Sequence, residues 1–429
     1  TTVSYASSLA IRPLAATRKY ARPDVDPQAA GRELQVGQVL AGSFQKEGDR
    51  FRVTLEVIDT DSNRVIWRDT TNVGAADLLG LRDQISTRLR RDLLPLLGAS
   101  GSEPPNRPQN PEAYDLYLKS TAVSRDPLPN KNAIAMLEKS VALDPSNPAA
   151  WNALGKRYYY DGTYGDGGSS AIERARTAYM HALETQPPLL EAIANVVLLQ
   201  TEGGDLAGAL EKAGELVRTH PDSARAHFTM SYVLRYAGLA DDSARECEAA
   251  LAIDPKDPGW RSCALTYSLL ANYGRAMDYV RLDAGSQWAT FLESDIRLRE
   301  GKPDQVRALL RKVEGNPLYN TYFRCLENPG NTQYDAQWRE LEPQLVAGRD
   351  SEPKYYDAGR AAFCHQYPGA LHLLRSAVEG NFLPYPAMDK DPLLAPLRSN
   401  PEFAAIRALA IERQRQVVAP WKARVQPKS

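Results

Sequence analysis

The feature that most constrains this chain is a helical pattern that repeats from Pro111 onward. In its clearest copy, large apolar residues recur at three- and four-residue spacing, followed by small residues and a closing proline. The positions of this copy are Trp151, Leu154, Gly155, Tyr158, Ala175, Tyr179, Ala182 and Pro187. Small residues let two antiparallel helices approach closely, large ones fill the space between them, and proline ends the second helix. The pattern therefore predicts stacked helix pairs.

A second copy of the pattern follows later in the chain. Its positions are Met230, Ser231, Leu234, Ser243, Cys247, Ala250 and Pro255. The segments "ALDPSNP" (142–148) and "LAIDPKDP" (251–258) are typical of the end of such a unit, where Asp before Pro suits a turn and the cap of the following helix. These repeats resemble tetratricopeptide (TPR) repeats. The resemblance implies an all-α TPR solenoid over 111–281, continued by divergent helix pairs and a carboxy-terminal cap over 282–429. We expect residues 162–170 to lengthen one turn of the array.

The residues before the repeats show strand periodicity instead. In 50–59, apolar Phe51, Val53 and Leu55 alternate with polar side chains, and turn sequences lie on both sides. The predicted elements are a helix over 28–34, strands over 39–44, 50–59 and 64–68, and a helix over 75–97. The sequence therefore predicts an α+β amino-terminal domain, a small antiparallel sheet with helices. The chain as a whole is predicted to be mostly α.

Two segments outside the repeats carry a further resemblance. The string "AGRELQVGQVLAGSFQKEGDRFRVTLEVIDTDSNRVIWRDT" (30–70) resembles the TolB-amino-terminal-like domain that precedes TPR arrays in bacterial signalling proteins. These proteins include acidobacterial-type serine/threonine kinases, CadC-type winged-helix regulators and some nucleotide cyclases. The string "NFLPYPAMDKDPLLAPLRSNPEFAAIRALA" (381–410) is similar to the end of the same arrays. The resemblance implies a sensory or interaction segment. Members usually carry one more strand and helix before the position of Thr1, which fits a piece of a longer protein.

Composition argues against several classes of function. Lys and Arg number 52 and Asp and Glu 53, so the basic excess typical of nucleic-acid-binding proteins is missing. The chain contains no run of 18 apolar residues, which is about the length needed to span a bilayer. The sequence also has neither the kinase loop signatures nor Gly-x-Ser-x-Gly. We therefore expect no enzyme, no cofactor and no nucleic-acid partner for this segment.

The four cysteines suggest disulfides and argue against a metal site. Without Cys-x-x-Cys or a nearby histidine pair, a zinc site is not expected. Cys247 falls on the second helix of one repeat and Cys263 on the first helix of the next, and these helices should pack together. We expect bridges Cys247–Cys263 and Cys325–Cys364, with four buried free thiols as the alternative. Disulfides would indicate an oxidising compartment.

The concave side of the array is the one place where a binding site can be argued. First-helix positions that do not pack in the repeat core line this groove in such solenoids. They are Asn152, Lys156, Tyr159, Tyr160, Phe228, Tyr232, Arg235 and Tyr236. Aromatic rings with interspersed cations suit an extended peptide or a carboxylate terminus. The alternative is that these tyrosines pack against neighbouring repeats or the amino-terminal domain.

These expectations combine into one interpretation of the chain. The predicted segments are a TolB-like domain (1–97), a linker (98–110), TPR repeats (111–281) and divergent helix pairs (282–429). The predicted function is a non-enzymatic protein- or peptide-interaction module, or a sensory module, on the extracytoplasmic side of a membrane-tethered signalling protein. The alternative is a cytoplasmic TPR scaffold that recruits substrates to an attached serine/threonine kinase.

Overall fold

The amino-terminal region combines a three-stranded sheet with helices. The computed structural model describes residues 17, 20, 22, 25–75, 77–98, 108–123, 127–184, 189–255, 257–311, 321, 324–326, 329 and 332–425. The first elements are α1 (Pro27–Leu34), β1 (Gln38–Glu47), β2 (Arg50–Asp59), β3 (Arg64–Gly74) and α2 (Leu78–Arg88). A π-helical turn (Leu89–Leu93) and a short helical segment (Leu94–Leu96) follow α2 directly. The predicted α+β region is thereby confirmed.

The sheet is antiparallel throughout, in the order β1–β2–β3. One of its faces is apolar because alternate residues of β2 point to the same side. At its centre, Val57 packs against Leu89 and Leu93, which follow α2. Strand β3 continues six residues beyond the predicted end at 68, because Thr71 and Val73 pair with β2. Helix α2 starts at Leu78 rather than at 75, because Asp77 caps it by accepting from the backbone N–H of Gly80.

The rest of the described chain is helical, and several consecutive helices pack in pairs. The helices are α3 (Pro111–Ala122), α4 (Pro127–Leu143), α5 (Pro148–Tyr164), α6 (Gly168–Leu183), α7 (Leu190–Glu202), α8 (Leu206–Thr219), α9 (Ala224–Tyr236), α10 (Ala240–Ile253), α11 (Cys263–Leu269), α12 (Tyr273–Val280), α13 (Gln287–Arg299), α14 (Pro303–Leu310), α15 (Asp335–Ala347), α16 (Glu352–Phe363), α17 (Tyr367–Glu379), α18 (Tyr385–Met388) and α19 (Pro401–Val425). Short 3-10 segments lie at Pro258–Ser262, Arg281–Asp283, Thr332–Tyr334 and Pro392–Leu397. These TPR-like pairs confirm the predicted all-α part.

The α5–α6 pair shows how local sequence sets each unit. Asn147 caps α5 by accepting from the backbone N–H of Ala149, and Pro148 occupies its first turn. Gly155 lies where α5 crosses α6, and a Cβ there would lie 2.5 Å from Tyr179 Cδ1. The predicted long turn over 162–170 is wrong. Residues up to Tyr164 extend α5, and α6 already starts at Gly168.

The chain divides into two compact units. Unit 1 extends to Val196 and unit 2 begins at Val197, so the division falls within α7. The finer boundaries drawn from the sequence stay predictions, and most of the predicted linker (99–107) lies outside the described residues. Across the part of the chain that the structure describes, no helix is both long enough and apolar enough to cross a bilayer.

Candidate functional site

The four groove positions predicted on α5 lie in unit 1 and differ in exposure. Asn152 is buried, and its Oδ1 accepts a hydrogen bond from Asn195 Nδ2 at 2.9 Å. Lys156, Tyr159 and Tyr160 are partly exposed. Asn152 therefore helps to join the first helices of adjacent repeats, whereas the other three side chains lie nearer the surface.

The partly exposed residues of α5 form an aromatic row. Lys156, Tyr160 and Tyr164 are spaced four residues apart, so they lie along one side of the helix. The rings of Tyr160 and Tyr164 stack with centroids 6.2 Å apart, and Tyr159 meets Tyr160 edge-on at 6.0 Å. Tyr164, with 52% of its surface exposed, was missed in the sequence although the four-residue spacing points to it. We call Lys156, Tyr159, Tyr160 and Tyr164 the α5 tyrosine surface.

The four groove positions predicted on α9 have a different environment within unit 2. Phe228, Tyr232, Arg235 and Tyr236 are all buried, and no surface of Arg235 or Tyr236 is exposed. The expectation that these side chains line an open groove is therefore not met in unit 2. Side chains from later parts of the chain cover this side of α9. Partner binding through them stays an untested prediction.

Arg235 forms the central contact of this covered face. Its Nε donates to Glu352 Oε1 at 2.6 Å and its Nη2 to Glu352 Oε2 at 3.0 Å, a bidentate pair across 117 residues of sequence. Nη1 donates to the Ser262 carbonyl at 3.2 Å. Burial opposes the charge, but the Glu352 carboxylate raises the pKa of Arg235, so the guanidinium stays charged. Arg235 is therefore a structural cation.

The aromatic neighbours of Arg235 are also satisfied within unit 2. The Tyr232 ring lies 4.7 Å from the guanidinium carbon, and its hydroxyl donates to Glu202 Oε1 at 3.0 Å. The Tyr236 hydroxyl donates to Asp350, and its ring meets Phe382 edge-on at 5.1 Å. Burial raises the pKa of both phenols, so both hydroxyls stay protonated.

The helix that covers this face is α16, on which ten of twelve residues are buried. Its Arg360 donates to Asp295 of α13 at 3.1 Å, and the Tyr356 hydroxyl donates to the Leu265 carbonyl of α11 at 3.3 Å. Arg299 of α13 also pairs with Asp295. First helices of several pairs thus share one buried network of charges and tyrosines. Its partners are distant in sequence, so no local pattern could predict it.

Both predicted disulfides are present in unit 2. Cys247 and Cys263 are bonded with Cα atoms 6.0 Å apart, and Cys325 and Cys364 with Cα atoms 5.7 Å apart. The first joins α10 to α11, and the second joins the residue after α16 to residue 325. Among the described residues, no group of three or more His, Cys, Asp or Glu side chains could hold a metal ion.

Comparison with known proteins gives limited similarities. No protein-family model matches the chain. A segment of 137 residues is 28% identical to the putative adenylate cyclase 3 of Rhizobium meliloti (strain 1021), covering 31% of this chain and 23% of that protein. The chain thus spans less than a quarter of that relative.

Solved structures with similarity include two TPR-containing chains of low sequence identity. A monomeric IFIT1 mutant with Gppp-AAAA is 13% identical in sequence, with a TM-score of 0.30. The similarity covers 74% of this chain and 68% of the IFIT1 chain. The TPR domain of P58(IPK) is 12% identical in sequence, with a TM-score of 0.18. This similarity covers 72% of this chain and 98% of that domain. None of these similarities assigns the chain to a family.

Proposed function

We propose that this chain is a non-enzymatic module that binds a peptide or partner protein for a bacterial signal-transduction protein. The α5 tyrosine surface is the binding site in this proposal. The observation that carries it is the group of three neighbouring tyrosines on one helix, of which Tyr164 is half exposed. Rings supply contact area at low entropic cost, and their hydroxyls bond peptide groups.

The signalling role rests on a separate observation. The 137-residue similarity to a putative adenylate cyclase, of which it covers 23%, supports an association with an output domain outside this segment. Partner binding would reach that domain by changing the orientation or the oligomeric state of the module. The two disulfides support an extracytoplasmic location, because such bonds persist in oxidising compartments.

Selection from a displayed peptide library tests the binding site. The double variant Tyr159→Ala/Tyr160→Ala is expected to bind the selected peptides at least about tenfold more weakly, a loss of about 1.4 kcal/mol. Tyr367→Ala is the matched control, because this tyrosine is 37% exposed and lies in unit 2. Circular dichroism checks that each variant is folded. Selected peptides that bind the double variant as tightly as the unmodified chain would remove the α5 tyrosine surface from the proposal.

A free-thiol count by alkylation and intact mass tests the location. We expect no free thiol in the chain purified without reductant, and linked peptides that contain the two bonded pairs. Four thiols that stay reduced under mild oxidation would contradict the extracytoplasmic location. That result would favour the cytoplasmic scaffold that recruits substrates to a kinase.

A further inference from the structure

Within the described part of the chain, strand β1 has an edge without the usual protection against further pairing. Among the residues that the structure describes, all ten residues of β1 pair with β2, and no strand lies on its other side. From Val39 to Gln45 the strand has no charge and no proline, and its register contains no bulge. Outward N–H and C=O groups of such an edge are a template for another strand. The edge of β1 is therefore competent to pair.

The opposite edge of the sheet, β3, is protected. Its pairing with β2 has an irregularity at Val57 and Ile58. Charged side chains also lie along β3. One of them, Asp69, is paired with Arg88 of α2. Bulges and charges are the features that keep natural edge strands from pairing. The two edges of one small sheet therefore differ in their ability to accept a strand.

An exposed apolar strip accompanies the free edge of β1. Phe44 has 71% of its surface exposed and Leu40 has 44%. Both point to the sheet face that α2 and its continuation cover elsewhere, because their β2 partners are Val53 and Val57. The Phe44 ring meets Phe51 edge-on at 5.9 Å. A hollow beside this pair is lined by Gly42, Ser43, Phe44, Phe51, Val53 and Leu81.

We propose that β1 pairs antiparallel with β1 of a second copy of this chain, centred on Gly42. In this register Leu40 lies opposite Phe44 of the second copy, and Gln38 lies opposite Lys46 of the second copy. Apolar residues meet apolar residues, and no like charges face each other. The contact is self-complementary, as a two-fold interface requires, and joins two sheets into one. This inference goes beyond the proposed function and does not depend on it.

Sedimentation velocity of the full chain over about 1 to 200 μM tests the pairing, since an interface of one strand edge is small and weak. We expect a concentration-dependent monomer–dimer equilibrium. Phe44→Glu and Leu40→Lys should each raise the dimer dissociation constant at least about tenfold. Both side chains are exposed, so the variants should keep the far-ultraviolet circular dichroism of the unmodified chain. Val65→Glu, at a residue 47% exposed on β3, is the matched control and should leave the equilibrium unchanged.

Mixing the two charged variants tests the register itself. In the proposed pairing the lysine introduced by Leu40→Lys faces the glutamate introduced by Phe44→Glu, so the mixture should form a heterodimer that neither variant forms alone. A chain that stays monomeric at every concentration would overturn the proposal. A dimer that Phe44→Glu leaves intact, or that Val65→Glu disrupts equally, would overturn it as well. Failure of the mixture to associate would exclude the Gly42-centred register.

Discussion

The first helices of two repeats, α5 in unit 1 and α9 in unit 2, occupy the same place in the repeat but have different surroundings. When the crossing positions Gly155 and Ser231 are aligned, Tyr159 corresponds to Arg235. Tyr159 is partly exposed, whereas Arg235 is fully buried against Glu352. The repeat pattern determines which side of a helix a residue is on. Later chain segments decide whether that side is covered.

The comparison also separates two uses of tyrosine and arginine. On α5 the aromatic row keeps accessible rings, which suit recognition. On α9 the same kinds of side chain fill a buried network in which every charge needs a partner. A polar or aromatic residue at a groove position is therefore evidence for binding only when the groove is open.

The largest effect is expected from breaking the buried pair of unit 2. Arg235→Ala leaves the Glu352 carboxylate buried without its partner, which should cost about 3–5 kcal/mol of unfolding free energy. Thr163→Ala, at an exposed residue of α5, should change it by less than about 0.5 kcal/mol. Urea denaturation measures both. The double variant Arg235→Met/Glu352→Leu should recover most of the loss, and a single-variant loss below about 1 kcal/mol would contradict the buried-pair interpretation.

The next effect concerns the disulfides, which all lie in unit 2. Replacing Cys247 and Cys263 by serine opens a loop with a sequence separation of 16, and replacing Cys325 and Cys364 opens one of 39. The expected losses are about 3 and 4 kcal/mol, because longer loops gain more entropy in the unfolded chain. Urea denaturation without reductant measures them. Unchanged stability of both serine pairs would show that the bridges are not formed in solution.

A smaller effect distinguishes the helix crossings. Gly155→Ala places a methyl group 2.5 Å from Tyr179 Cδ1, so the α5–α6 crossing must shift at a cost of about 1–3 kcal/mol. At the matching position of α9, Ser231 Oγ donates to the Phe228 carbonyl at 2.7 Å. Ser231→Ala should cost only about 0.5–1.5 kcal/mol. Thermal unfolding compares the two, and an equal or larger loss from Ser231→Ala would reverse the expected order.

The smallest effect is a pH dependence confined to unit 2. His227 Nδ1 lies 2.6 Å from Glu246 Oε2, and Nε2 lies 2.8 Å from the Pro221 carbonyl, so both nitrogens donate only in the charged ring. The hydrogen bond to Glu246 raises the pKa of His227, against the effect of burial. The stabilisation that charged His227 gives to the folded chain is therefore complete below the unfolded pKa of about 6.5. It is lost as pH rises through the folded pKa of His227.

Melting temperatures between about pH 5.5 and 8.5 measure this effect, because histidine titrates in that range. We expect the melting temperature to fall as pH rises through the folded pKa of His227. Glu246→Gln should weaken the dependence and His227→Asn should remove the part that His227 contributes. A melting temperature that rises across this range in the unmodified chain, but not in His227→Asn, would contradict the assignment.

Much of the fold was predictable because its signals are local. The two-residue alternation of β2 and the helix-pair pattern predicted the α+β region and the TPR-like pairs that the structure contains. Turn chemistry was less informative: β3 continues to Gly74 through pairing with β2, and residues near Gly162 extend α5 instead of forming a long turn. In both places pairing or packing with another element outweighed the local preference.

The sequence by itself determined the helix pairs, the sheet and the residues available at each groove position, because these depend on periodicity and on neighbours a few residues away. It also indicated the Cys247–Cys263 pairing, because adjacent repeats must pack together, and this left Cys325 and Cys364 as the second pair. Only the tertiary structure decided which groove positions are covered. That outcome depends on α16, whose Glu352 meets Arg235 across 117 residues. Such contacts form because buried charges need partners, and the chain supplies those partners from wherever folding brings them close.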